Sequence, residues 1–271
     1  MNDAGVILGK IGDDERGVLD TFEVFEELES TNTYLLQEER PADGRFRAVL
    51  AKDQTAGRGR DDKIWHSPPG SGLSLSLSYS FAKMPRSPPS LTLAIGVAVA
   101  TALERLGASG LALKWPNDLV VRDGKLGGIL TEIHSIAENA RTVVVGVGLN
   151  VDLPNSLRYA APTSWNNRIS DLVACMDPLP TRAELAAAVI GSMIDDVRRF
   201  ERDGFGAFRE TWREYDWLLG KRLSVRQAQR RISGMANGID EDGALLVKTE
   251  TGTERVISGS VEVPAYGAAC A

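Results

Sequence analysis

Residues 91–106 are apolar on nearly every side and stop at Gly107. A helix of that kind has no face to show to water, so other elements must surround it, and glycine is a common terminator. Neither this segment nor any other approaches the roughly 20 apolar residues that cross a bilayer. The chain therefore needs a core large enough to hold this helix. Its 271 residues allow one main domain with a small appendage, because single cores stop growing near roughly 250 residues.

The segments around this helix supply a sheet. Residues 48–51 form a short apolar strand candidate, with an earlier strand around Phe22, and Leu73, Leu75, Leu77 and Tyr79 alternate with serines as in a half-buried antiparallel strand. Residues 111–114, 119–121, 126–133 and 142–151 continue the series, and Asp123-Gly124 predicts a tight hairpin between two of them. Ser30, Thr31 and Asn32 cap a helix expected from near Thr33, broken by residues 41–44. Thr181 and Glu184 form a capping box for an alanine-rich helix running to about Arg202, followed by a short helix over residues 205–215. These helices are expected to cover one face of the sheet.

After Gly220 the pattern changes. Residues 223–225, 232–235, 245–247 and 255–257 are short strand candidates separated by Asn237-Gly238, Asp242-Gly243 and Thr251-Gly252, the signature of a small β-barrel or sandwich. The expected fold is α+β: a mixed or antiparallel sheet with helices on one face in residues 1–219, and a small β domain in residues 220–271, with the boundary between Trp217 and Leu223.

A net charge of -6 argues against nonspecific nucleic-acid binding, which needs an excess of Lys and Arg. Two cysteines, Cys175 and Cys270, are too few for a disulfide framework and are not spaced as a metal site. Residues 1–14 lack a cationic start and a continuous apolar run, so they do not read as a signal peptide, and a cytoplasmic protein is expected.

Several short runs could carry chemistry. Gly57-Arg58-Gly59-Arg60 lets the backbone approach a ligand while two guanidinium groups offer forked donors to carboxylate or phosphate oxygens; a solvated basic turn is the other reading. Trp65, close behind, could cover a purine. Lys114 ends an apolar strand before Trp115-Pro116-Asn117-Asp118, and an ammonium held there could neutralise charge developing on a phosphate, or be a surface lysine at a strand end. Asp118 could orient Lys114, help deprotonate an incoming amine, or form a structural salt bridge. Gly127 and Gly128, after Lys125, sit inside a strand where a ligand, another backbone or a bulge would explain them. Gly146 and Gly148 repeat the theme before Asn150, whose amide could pair with adenine. His66 and His134 fit no motif, and Cys175 reads as a small buried residue.

In order and spacing, residues 30–32, 54–60, Trp65, residues 114–118, 125–130 and 146–150 resemble the catalytic domain of biotin protein ligases, whose fold is related to class II synthetases and to lipoate ligases. The segment around residues 232–240 is similar to the SH3-like domain of those enzymes. The resemblance implies that Ser30, Thr31, Asn32 and Gln54 line a pocket for the biotin ring. Arg58, Gly59 and Arg60 match a loop that folds over the activated intermediate, with Lys114 between carboxylate and α-phosphate, and Gly127 and Gly128 beside the biotin. Trp65, Asn117, Lys125 and Asn150 match residues near the adenylate, with Arg58 and Arg60 reaching it as well. The implied reaction uses biotin and Mg-ATP to make biotinyl-AMP, which then biotinylates a lysine of a biotin carboxyl carrier domain of an acyl-CoA carboxylase. No resident metal, nucleic acid or membrane partner is expected, and monomer and homodimer both remain open.

The chain departs from the family pattern Gly-Arg-Gly-Arg-x-Gly-Arg-x-Trp, with Asp62 where a glycine is expected and Lys63 where an arginine is expected. The expectation is that Asp61 and Asp62 turn to solvent and leave Arg58 and Arg60 as the anion clamp; looser retention of the intermediate is the alternative. A lipoate or octanoate ligase or transferase, a biotin-responsive repressor and a noncatalytic biotin-binding module are the rival readings. The roughly 20 residues before the Phe22 strand are fewer than a winged helix needs.

Overall fold

The computed structural model describes residues 3–82, 87–134, 142–158, 168–227 and 230–264. Helices α1 (Asp3–Leu8) and α2 (Asp13–Gly17) lead into β1 (Leu19–Leu28), α3 (Thr31–Gln37), β2 (Phe46–Gln54) and β3 (Gly72–Ser80). Helix α4 (Leu91–Arg105) follows, then β4 (Leu111–Lys114), β5 (Asp118–Val121), β6 (Gly124–His134), β7 (Thr142–Asn150), α5 (Asn155–Arg158), α6 (Arg182–Asp203) and α7 (Arg209–Tyr215). The seven strands form one sheet in the order β1-β2-β3-β7-β6-β5-β4, in which β1 and β2 are parallel and every other pair is antiparallel. No helix among the described residues is long and apolar enough to cross a membrane.

Helix α4 is buried at every residue from Leu91 to Leu103 except Thr92 and Thr101, packed between the sheet and α6. Helix α6 starts at the Thr181–Glu184 capping box and turns Leu185, Val189, Ile190, Met193, Val197 and Phe200 inward, the stripe expected of an amphipathic helix. The opposite face of the sheet has its own small cluster, in which Leu35 of α3 packs on Val49 and Val144. Helix α3 thus lies across the sheet from α4 and α6.

That placement corrects the reading of β3 as half-buried. All nine of its residues are buried. Leu73, Leu75, Leu77 and Tyr79 join the main core, while Ser76 and Ser80 find protein partners on the other face, Ser76 with Thr31 and Asn32, Ser80 with Pro41 and Thr142; Ser78 Oγ is buried with no partner among the described residues. Polar alternation marked a covered polar face, not a wet one. The α3 helix also starts two residues earlier than expected, at Thr31, because Ser30 is its N-cap. The β5–β6 turn is shifted by one residue: Arg122 and Asp123 take the two positive φ angles (47° and 58°), and Gly124 already pairs with Val121. Gly124 is needed for another reason, since a Cβ there would lie 2.9 Å from the Ile169 carbonyl oxygen.

The remaining strands, β8 (Arg222–Gln227), β9 (Arg230–Ile239), β10 (Leu245–Thr249), β11 (Gly252–Val256) and β12 (Ser260–Glu262), form an antiparallel sheet in the order β11-β10-β9-β8-β12. Asn237-Gly238 does not end a strand as expected. The pair sits inside β9 where the register with β10 slips, and the turn falls later, with Asp240 Oδ1 accepting from the amides of Asp242 and Ala244. This turn reaches the main sheet: Trp115 Nε1 donates to the Gly243 carbonyl at 3.0 Å.

Candidate active site

A cleft of about 270 Å³ opens between α3, the ends of β4 to β7, the Gly57 loop and β12. Its floor is a chain of neutral polar groups. The Thr31 amide and hydroxyl both donate to Gln54 Oε1, at 2.7 and 3.1 Å, and Gln54 Nε2 donates to Ser74 Oγ at 3.2 Å. Ser76 Oγ lies 2.7 Å from Thr31 Oγ1 and 2.6 Å from Asn32 Oδ1. Its single proton cannot serve both acceptors. Asn32 Nδ2 donates to the Leu130 carbonyl and to Glu132 Oε2, at 3.2 and 2.9 Å. Asn32 is only 3% exposed, and it fits because residue 146 is glycine: a Cβ there would lie 2.1 Å from Asn32 Oδ1.

Opposite this floor, β4 ends at Lys114, 4% exposed, followed by the cis Trp115-Pro116 peptide. Asp118, paired with Lys114 across the β4–β5 turn, faces both Lys114 Nζ at 3.6 Å and Lys125 Nζ at 2.7 Å. Burial pulls the Lys114 ammonium below the usual lysine range, opposed by Asp118. Burial works to raise the Asp118 carboxyl, but Lys125 and Lys114 together hold it below the usual carboxylate range. By formal count, two lysines and one aspartate bring one excess positive charge to this side of the cleft. Trp65 stands beside it, with Lys125 Nζ 5.6 Å from its ring centroid, packed so closely on Gly148 that a Cβ there would meet the indole at 2.6 Å.

The Gly57 loop is a hairpin. Trp65 N donates to Gly57 O, Gly59 N to Lys63 O, and Lys63 N to Arg60 O. Asp61 and Asp62 occupy its tip at φ 55° and 57°, both exposed, and Ser260 Oγ of β12 lies 3.4 Å from Asp61 Oδ2. A positive φ at position 62 is the backbone state that favours glycine, which gives the family pattern its physical reason. Arg60 Nη1 approaches Asn117 Oδ1 at 3.4 Å, and Arg58 forks onto Glu132.

Ser30, Thr31, Asn32, Gln54, Arg58, Gly59, Arg60, Trp65, Lys114, Asn117, Lys125 and Gly128 all line this cleft. Two of the expected residues do not. Asn150 is buried behind the wall and donates to the carbonyls of Lys125 and Ser170, at 3.2 and 2.9 Å, so its amide is spent on the scaffold. Gly127 lets β6 approach β7, since a Cβ there would lie 2.5 Å from the Gly148 carbonyl oxygen. Sequence reasoning missed Ser74, Ser76 and Glu132, and Arg226, Ser260 and Glu262, which bring the C-terminal sheet to the cleft. An acid inside the apolar run 129–133 was the available signal for Glu132; β12, at three residues, gave none. His66 and His134 lie outside the cleft lining. Cys175 is half-buried, its thiol pushed up by burial, which suits a packing residue; Cys270 lies outside the described residues.

Residues 24–150 match the biotin/lipoate A/B protein ligase family, and residues 218–263 match the biotin protein ligase C-terminal domain. The bifunctional ligase/repressor BirA of Escherichia coli is 32% identical over 226 residues, spanning 82% of this chain and 68% of that protein. The biotin--[acetyl-CoA-carboxylase] ligase of Mycobacterium tuberculosis is 29% identical, spanning 79% of this chain and 77% of that one. The structure of a biotin protein ligase from Aquifex aeolicus in complex with biotin and ATP superposes with a TM-score of 0.76 at 26% identity, over 90% of this chain and 99% of the other. Both sheets, the cleft between them and these relatives agree: the chain belongs to the biotin protein ligase family.

Proposed function

We propose that this chain joins biotin to a lysine of a biotin carboxyl carrier domain in two steps. A carboxylate oxygen of biotin attacks the α-phosphorus of ATP; the new P–O bond forms as the bond to the β-phosphate oxygen breaks, and pyrophosphate leaves. The acceptor amine then attacks the acyl carbon of biotinyl-AMP, the amine loses a proton, and AMP departs with the C–O bonding pair. Mg²⁺ arrives with ATP as part of the substrate, its oxygen ligands drawn from the triphosphate.

The observation that carries this reading is Lys114, buried in the same cleft as Arg58 and Arg60 and held by Asp118. A fixed ammonium stabilises charge at the α-phosphate without reorganising during the reaction, which is how such displacements are mostly accelerated. Ser30, Thr31, Asn32 and Gln54 offer neutral donors and acceptors to the ureido ring. Arg58 and Arg60 clamp the anion, and Trp65, Asn117 and Lys125 take the adenylate end. The Trp65 indole N–H is buried with no partner among the described residues, so a ligand acceptor would satisfy it. Asn150 and Gly127 serve by bracing the wall. Residues 1–219 form the unit that supplies the catalytic residues, and of the domain over residues 220–271, Arg226, Ser260 and Glu262 close the cleft.

Pyrophosphate release from ATP, measured without acceptor in the presence of biotin, lipoate or octanoate, tests the substrate. Release is expected with biotin. Release with lipoate or octanoate and none with biotin would overturn the reading.

A further inference from the structure

Glu132 stands on β6 just outside the cleft lining, and the mechanism above gives it no task. Its carboxylate accepts three N–H bonds. Arg58 supplies two, Nη2 to Oε1 at 2.8 Å and Nη1 to Oε2 at 3.1 Å, and Asn32 Nδ2 supplies the third, to Oε2 at 2.9 Å. A two-pronged arginine–carboxylate pair fixes the plane of the guanidinium as well as its position. A guanidinium has five N–H bonds, and the three that Arg58 does not spend on Glu132 have no partner among the described residues, while Arg58 itself lines the cleft. One edge of the group is anchored on β6 and the rest is left for a ligand. The anchor also joins two distant parts of the chain, since Asn32 opens α3 and Arg58 belongs to the hairpin loop.

We propose that Glu132 is the positioning residue that holds the hairpin loop over the cleft through Arg58 and ties that hold to the ring pocket through Asn32. This rests on the reading of Arg58 as anion clamp and Asn32 as ring contact. The side chains are 43% and 21% exposed, so the pair is screened by salt and reversible. A catch that must open to admit substrate and close to retain biotinyl-AMP needs that intermediate strength.

The loop carries its own reporters, because trypsin cuts after Arg58, Arg60 and Lys63. Glu132→Gln keeps the shape of the side chain and an acceptor for Asn32 but removes the charge. In the ligand-free full chain, cleavage after Arg60 and Lys63 should rise about two- to fivefold, the range of a partly exposed ion pair, and biotinyl-AMP should dissociate faster by a similar factor. Adding Arg58→Ala to Glu132→Gln should not raise cleavage further. In the wild type, cleavage corrected against a peptide substrate should rise between about 0.1 and about 1 M NaCl, as the Debye length falls from about 10 to about 3 Å. Cleavage and release at wild-type rates in Glu132→Gln would overturn the proposal. Should that variant fail to fold, salt-independent cleavage of the wild type would overturn it equally. Retention of biotin-dependent pyrophosphate release in Arg58→Ala is a different result: it removes the clamp reading itself.

Discussion

Replacing Gly146 with alanine tests the floor of the cleft with a single methyl group. The added Cβ would sit 2.1 Å from Asn32 Oδ1 and 3.2 Å from Ser76 Oγ, so Asn32 must retreat by at least 0.9 Å to restore a 3.0 Å contact. It has little freedom to do so. Its side chain is tied to Leu130, Glu132 and Ser76, and its backbone lies in the first turn of α3. Overpacking of this kind costs about 1–3 kcal/mol, which at roughly 2–4 °C per kcal/mol lowers the melting temperature by about 2–12 °C. The functional effect should be larger, because a misplacement of about 1 Å in a binding constellation costs on the order of 10²-fold in rate. Initial rates of pyrophosphate release at varied biotin and varied ATP separate the two substrates. The expectation is a fall of about 10²-fold in kcat/KM for biotin with little change in the KM for ATP. Gly191→Ala is the control: in the middle of α6, where a Cβ meets nothing within 4 Å, it should stabilise the chain by about 0.5–1 kcal/mol and leave both constants alone. Wild-type kcat/KM for biotin in Gly146→Ala would refute the assignment of Asn32 to the ring pocket.

Lys114→Met should reduce single-turnover formation of biotinyl-AMP by about 10²–10³-fold, the loss typical of one electrostatic donor, with melting by circular dichroism little changed because Asp118 keeps Lys125; undiminished adenylation would remove Lys114 from the chemistry. Replacing Asp61 and Asp62 together by glycine should leave steady-state turnover within a few fold, since both side chains are exposed, while easing two positive φ angles worth about 1–2 kcal/mol each at a non-glycine residue; a collapse of turnover would show that the acids act in the site. Asp196 of α6 has its carboxyl pushed up to about 6 by burial, opposed by Arg199 and assisted by Asp195. Its folded value lies above the unfolded 3.8, so the penalty of ionising it appears as pH rises through that window and is complete above about pH 6. Asp196→Asn should therefore raise stability at pH 7 by roughly 1–2 kcal/mol, discounted for partial exposure, and flatten urea stability between pH 4 and 6; an unchanged pH profile would contradict the shift.

Most strands and helices were legible because their burial is local in sequence: the apolar run of α4, the stripe and capping box of α6, and the short strands of the C-terminal sheet. What escaped was decided by what lies on the far side of an element. Ser74 and Ser76 alternate with leucines as solvent-facing residues would, and only the position of α3 across β3 turns them into buried site groups. Gly124, Gly127, Gly146 and Gly148 look alike in sequence. Their neighbours differ: the Ile169 carbonyl, the Gly148 carbonyl, Asn32 and Trp65 respectively. Asn150 followed the same logic, an amide at a strand end whose partners turned out to be two carbonyls of the scaffold. Arg58 and Arg60 line the cleft with Lys114 because the glycine-flanked hairpin carries them over it.

The hydrogen bond from Trp115 Nε1 to the Gly243 carbonyl bears on how far the two sheets can be treated as interchangeable modules. Trp115 is the neighbour of Lys114, so a turn in the C-terminal sheet braces the peptide that sets the lysine's direction. A chimaera that joins residues 1–219 to the C-terminal strands of a relative would keep every side chain to which the proposed reaction gives a task. Unless the graft brings a turn matching residues 240–244, it would leave a buried indole N–H unpaired, at about 1–3 kcal/mol, and Lys114 without its brace. Compatibility between such parts would then be read at Gly243, a residue that touches no substrate in the mechanism proposed here.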